Sequence, residues 1–105
     1  MSSSIALPAA TLRSAVIGDL PDIERLLVAS SLPVIGVAEA LGTFVVAESD
    51  GRLVGVIGLE ICGEYALLRS TAVAPDWRDR GLGRRLVERI IAEAEAQGVC
   101  ALYLL

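Results

Sequence analysis

The stretch Val73-Ala74-Pro75-Asp76-Trp77-Arg78-Asp79-Arg80-Gly81-Leu82-Gly83-Arg84-Arg85-Leu86 gathers the residues best suited to chemistry. Gly81 and Gly83 stand at alternate positions, directly after an apolar run that reads as a strand and at the start of a long helical pattern. A helix start leaves backbone N–H groups without internal partners, its dipole adds partial positive charge, and glycines let phosphate oxygens come close. Five of the nine basic residues, the arginines at 78, 80, 84, 85 and 89, lie in or just after this stretch. On a chain of net charge −4 they make a local electropositive patch suited to a polyphosphate ligand. The spacing is not that of a nucleoside triphosphatase, because no GxxxxGK[ST] is present. A dinucleotide fingerprint needs a third glycine three residues after Gly83, where Leu86 stands.

Other candidates are weighed against plainer roles. Arg69 interrupts an apolar strand. On a solvated sheet face it is surface charge, and facing a cleft its fork would bind a carboxylate or other oxyanion on an acceptor. Glu60 and Glu64 are candidate general bases acting through water, or simply solvated strand ends. Arg85 and Arg89 divide between phosphate contact and surface pairing, since Arg89 and Glu93, like Arg84 and Glu88, are four apart. Cys62 and Cys100 alternate with apolar residues and read as small core residues. Trp77 reads as a packing lid. There is no lysine and no histidine, so a catalytic lysine, a histidine base and a histidine-ligated metal are excluded.

These residues need elements to position them. The chain has 105 residues, 54% of them apolar, which suits one domain with one core. Residues 1–10 read as a flexible leader and 11–105 as the domain. Thr11 to Ile17 reads as a strand. A helix follows from an Asp19 N-cap with Pro21 in its first turn and ends near Ser31, ahead of Pro33. Val34 to Leu41 reads as a short second helix. Thr43 to Glu48, Arg52 to Ile61 and Tyr65 to Ala74 read as an antiparallel meander, with two-residue turns at Asp50-Gly51 and Gly63-Glu64. From Gly81 the apolar period becomes helical: Leu82, Leu86, Val87, Ile90, Ile91 and Ala94 share a face, and Gly98 is placed to end the helix. Val99 to Leu105 is then a final strand, parallel to the one before the helix. The fold class is α/β, with a mixed sheet.

With these elements in place, Arg78-Asp79-Arg80-Gly81-Leu82-Gly83 resembles the Q/R-x-x-G-x-G/A acyl-CoA signature of the GNAT N-acyltransferase superfamily. The preceding strand and Pro75, and the helix that follows, stand where that family has them, and the resemblance runs from Thr11 to Leu105. It implies that backbone groups from Asp79 to Arg84 hold the CoA pyrophosphate. It implies also that Thr71, Ala72 and Val73 pair with the pantetheine arm, and that the acetyl group lies where the fourth and fifth strands splay apart. Leu67 to Val73 together with Leu102 to Leu105 look most like the small GNAT branch encoded beside arsenic-resistance genes. The implied activity is transfer of acetyl from acetyl-CoA, as cosubstrate, to a primary amine of a small molecule in a ternary complex; Arg69 and Glu60, read from the residues themselves, are the candidate acceptor contacts. The alternative is a shortened, non-catalytic CoA-binding or interaction domain.

The family fold continues past the fifth strand with a helix and two strands, often bearing a tyrosine that protonates the departing thiolate. Tyr103 lies inside the last strand and is not given that role, so no catalytic residue is assigned. A piece of a longer gene product is a further reading. An apolar final strand without charge or proline is expected to self-associate, as a two-fold homodimer covering it. The acidic balance argues against a duplex nucleic-acid partner. No apolar run reaches the roughly 20 residues of a membrane span. The N-terminus shows no secretory pattern, and two cysteines without a CxxC pair fit free thiols in a cytoplasmic protein.

Overall fold

A computed structural model describes residues 9–104. Eight residues of the expected leader and the last residue of the expected final strand lie outside that range. Five strands form one sheet in the order β1-β2-β3-β4-β5: β1 Thr11–Ser14, β2 Val45–Ser49, β3 Arg52–Cys62, β4 Tyr65–Val73 and β5 Ala101–Leu104. The first four pair antiparallel, and β4 and β5 pair parallel across the helix between them. Both turns of the meander form where expected. Asp50 and Gly51 take φ of 51° and 74°, the left-handed pair that matches hairpin twist, and Ser49 faces Arg52. Gly63, at φ 68°, turns β3 into β4 with Cys62 opposite Tyr65.

Among the described residues three α-helices cover the sheet: α1 Leu20–Ala29, α2 Val37–Ala40 and α3 Leu82–Ala96. The expected stripe of α3 buries Leu82, Leu86, Ile90 and Ala94 against Val54, Ile57, Leu59, Ala66 and Leu68. On the other face α1 and α2 bury Ile23, Leu27 and Val37 against Phe44, Val46, Val56 and Ala72. Central strands covered on both faces lose polar alternation, which is why Val45-Val46-Ala47 is a continuous apolar run. Gly98 ends α3 at φ 77°, with its own N–H donated to Glu95 O and that of Val99 to Ala94 O, both at 3.1 Å. That closure uses Val99, so β5 starts at Ala101 rather than Val99. Among the described residues no helix is long and apolar enough to cross a membrane.

The structure corrects several expectations. β1 stops at Ser14 instead of Ile17, because Asp19 folds the chain back. Its carboxylate accepts from both Nη atoms of Arg13 (2.7 and 2.9 Å) and from Val16 N–H (2.8 Å), closing a 3-10 turn at Ile17–Asp19. Asp19 therefore makes no side-chain cap on α1. The second helix is shorter than Val34 to Leu41, since Gly36 enters it in the left-handed region at φ 81°. Arg85 and Arg89 are not loose surface charge. Arg85 donates to Ala10 O at 3.0 Å and Arg89 to Leu12 O at 3.5 Å, clamping the N-terminal strand to α3, while Arg89 also pairs with Glu93. Neither cysteine is in the core. Cys62 ends β3 beyond the helices' cover and is half-buried, and Cys100 is exposed in the link to β5.

The Arg13 fork holds the Asp19 carboxyl below the usual carboxylate range, with the Val16 N–H acting the same way. A depressed folded-state value gives stability that is complete above the unfolded value of about 3.9 and is lost as pH falls through the lower, folded one. Asp19→Asn is accordingly expected to cost about 1–2 kcal/mol at pH 7. The gap from wild type should narrow below about pH 4. Urea melts at both pH values check this.

Candidate active site

The glycine turn at Gly81 is built from buried anchors outward. Ala74 N–H donates to Val54 O at 2.8 Å, then Pro75–Trp77 makes one 3-10 turn, with Trp77 N–H on Ala74 O. Trp77 is buried in the α3-side core, the packing role expected of it. Asp79 (φ 63°) and Gly81 (φ 77°) then take left-handed conformations that reverse the chain into α3. Gly81 is the N-cap and supplies no side chain to the first-turn donors, which leaves them open to an outside acceptor. A Cβ at Gly83 would meet nothing within 4 Å, so the space above that turn is free.

The arginines of the turn are not equivalent. Arg78 Nε donates back to Val73 O at 3.3 Å. Arg80 stacks on Trp77, with its guanidinium carbon 4.9 Å from the ring centre. Arg84 is exposed and has no ion pair among the described residues. Asp76 forks to Arg52 at 2.8 and 2.9 Å, which lowers its carboxyl to about 2, and Arg80 adds to the effect. The charge of Asp76, in the 3-10 turn ahead of Gly81, is thereby partly neutralised.

The other half of the site is an opening along β4. β5 pairs only with Tyr65 to Leu68, so from Arg69 onward that edge of β4 has no neighbouring strand among the described residues. Between Arg69 and Ala72, β4 contains one residue more than β3 does between Val56 and Gly58, and Ser70 sits in this bulge at φ 57°. Ala74 N–H points to β3. Alternation along the strand then turns the backbone groups of Thr71 and Val73 into the opening and those of Ala72 toward β3.

Arg69 resolves in favour of a cleft. Its side chain is 13% exposed and runs under the loop between α1 and α2. It donates from Nε to Ser70 Oγ at 2.9 Å and from Nη2 to Ile35 O at 2.6 Å, and its guanidinium lies 6.0 Å from the Phe44 ring centre. Glu60 Oε1 is 3.5 Å from its Nη1. Glu64, by contrast, lies in the β3–β4 turn at the far end of β4, away from Arg69 and from the turn at Gly81. Sequence reading missed Ser70, although a polar Ser-Thr pair inside an apolar strand was its signal. It also missed the edge-to-face contact of Tyr65 and Tyr103, with ring centres 5.9 Å apart. Tyr65, Leu67 and Arg69 alternate and share one sheet face.

A profile of the Acetyltransferase (GNAT) family matches residues 19–105. The chain belongs to this family. Among relatives of this GNAT chain, the [ribosomal protein bS18]-alanine N-acetyltransferase of Salmonella typhimurium is 39% identical over 56 residues, 53% of this chain and 38% of that protein. The match thus spans well under half of the relative. The N-acetylglutamate synthase of Neisseria gonorrhoeae, solved with coenzyme A and N-acetyl-glutamate, superposes with a TM-score of 0.84 at 26% identity, covering 95% of this chain and 26% of that one. Rv2747 from Mycobacterium tuberculosis, solved with CoA and NLQ, gives 0.82 at 25% identity, covering 90% and 63%. The GNAT resemblance first carried by Arg78 to Gly83 therefore holds for sequence and fold together.

Proposed function

We propose that this GNAT chain transfers the acetyl group of acetyl-CoA to a primary amine of a small molecule, by direct attack in a ternary complex. The observation that carries the reading is the continuity of two open donor surfaces: the unpaired β4 edge at Thr71 and Val73 leads through Ala74 to the uncapped start of α3. The cosubstrate is an elongated thioester with an amide-bearing arm and a pyrophosphate, which needs a strand-like edge followed by an anion site. Backbone N–H groups from Asp79 to Arg84 receive the pyrophosphate, and exposed Arg84 adds charge. Thr71 and Val73 pair with the arm, with Ala72 between them keeping the strand fixed to β3. The Ser70 bulge breaks the ladder where the thioester would lie and frees a backbone donor for its carbonyl oxygen. A bound ammonium first gives one proton to solvent; its neutral nitrogen then bonds to the acetyl carbon as the C–S bond breaks, and the second proton it sheds balances the one the sulfur takes up. Complexes of two neighbouring structures with coenzyme A support the cosubstrate.

Thiol release from acetyl-CoA, followed with a thiol reagent, tests the proposal. Release that rises saturably with an added mixture of primary amines is the expected result. Bound CoA with no amine-dependent release would overturn the transfer and leave a CoA-binding module.

A further inference from the structure

We infer that the acceptor is a zwitterion, an amine with its own carboxylate close by as in a free α-amino acid, and that Arg69 and Glu60 read its two charges; this rests on the acetyl-transfer reading above. The Arg69 guanidinium is held in place by Ser70 Oγ and Ile35 O, two neutral acceptors. Among the described residues its one carboxylate contact, Glu60, stands at 3.5 Å, whereas a well-formed charge-assisted bond is about 2.7–2.9 Å. A guanidinium carries five donors, so N–H groups are left over. Glu60 is half exposed and, among the described residues, accepts only that stretched bond.

The surroundings make those two charges selective. The floor beside them is apolar or aromatic: Phe44 under the guanidinium, then Leu67 and the Tyr65–Tyr103 pair. A plain amine approaching Glu60 meets the Arg69 cation, and a plain acid approaching Arg69 meets the Glu60 anion. A molecule with both charges a short distance apart turns both repulsions into attractions. Arg69 also directly precedes the Ser70 bulge, so a carboxylate anchored on its fork brings the adjacent amine toward the β4 opening where the thioester would lie. The loop is shaped for this arrangement. A Cβ at Gly36 would stand 3.0 Å from Arg69 Nη1, and glycine leaves that room.

The test is a titration of the ¹⁵N-labelled 105-residue chain, with and without CoA, reading arginine Nε–H resonances. The probes are the common amino acids, each beside its α-carboxamide. At least one acid is expected to shift the Arg69 signal saturably, with its carboxamide about tenfold weaker or worse. Arg69→Gln, followed through the backbone amides of Ser70 and Thr71 because the Arg69 signal is gone, should abolish the difference. Because Arg69→Gln also removes the Ile35 contact, Glu60→Gln serves as the second variant. It leaves the loop contacts intact and is expected to weaken the amino acid several-fold without weakening the N-acetylated acid, which has no ammonium group. Acid and carboxamide binding alike, or no shift at Arg69 with any acid at tens of millimolar, would each overturn the inference. Discrimination that persists while CoA neither binds nor is turned over would sink the transfer reading instead.

Discussion

Gly83→Leu is expected to cut CoA affinity about 100-fold or more, a loss of roughly 3 kcal/mol, while the fold is kept or slightly strengthened. The two effects have separate causes. Position 83 lies in the first turn of α3, and a Cβ there meets no atom beyond its neighbouring residues and its own helix backbone within 4 Å, so a side chain can leave the helix without a clash at its root. Glycine in a helix costs up to about 1 kcal/mol relative to good helix formers, and leucine removes that cost. For a domain of this size 1 kcal/mol corresponds to roughly 4–8 °C in melting temperature. The same side chain would fill the space above the free N–H groups that receive the pyrophosphate in the proposed complex. Calorimetry with CoA, beside a thermal melt of the same preparation, reads both. Unchanged affinity in a well-folded variant would remove the phosphate site from this turn. Binding to the wild type should also fall with added salt, since part of the attraction comes from exposed Arg84.

Gly58→Ala should be the most damaging small substitution in the sheet. The added Cβ would fall on the Phe44 ring, well inside van der Waals contact with three of its carbons. The ring is 1% exposed and packed among Val46, Val56 and Ile23, so it has no free direction in which to yield. Overpacking of this kind costs about 1–3 kcal/mol, occasionally more, against a total of about 5–15 kcal/mol for a typical domain. A drop in the urea midpoint with an unchanged slope is the expected readout. Phe44→Leu, which shortens the opposing side chain, should recover part of the loss in the double variant, a coupling of about 1 kcal/mol. Since the Phe44 ring also underlies Arg69, the folded fraction of Gly58→Ala should bind acceptor less well while its CoA affinity is unchanged. Destabilisation no greater than that of an exposed Gly→Ala change would mean the close approach is not held in solution.

Local chemistry explains which features were readable in advance. Asp50-Gly51 names its own turn because few residue pairs accept two successive left-handed conformations. The Leu82–Ala94 stripe and Gly98 name a helix and its end, and Arg78 to Gly83 names a ligand class because the spacing places donors and small residues together. Each of these depends on neighbours within a few positions. Arg69 was ambiguous for the opposite reason. Its placement depends on Ile35, far away in the chain, and on Glu60 in the neighbouring strand. Asp19 looked like a cap for the helix it precedes, yet the Arg13 fork and Val16 N–H compete successfully for the same carboxylate. Arg85 and Arg89 looked like helix-surface charge because their acceptors are main-chain carbonyls some 75 positions earlier, which no side-chain pattern records.

By itself, then, the sequence determined the order and kind of the main elements and the mixed sheet, which follow from backbone preferences and short-range periodicity. The family came from the resemblance of Arg78 to Gly83 to its signature. Only the tertiary structure decided that Ser70 opens the β4 ladder, that Thr71 and Val73 rather than Ala72 face the opening, and that Arg69 and Glu60 meet on an apolar floor. Those features arise where strands and loops distant in sequence are packed to a shared register. A one-residue change in that register would turn each side chain to the other face.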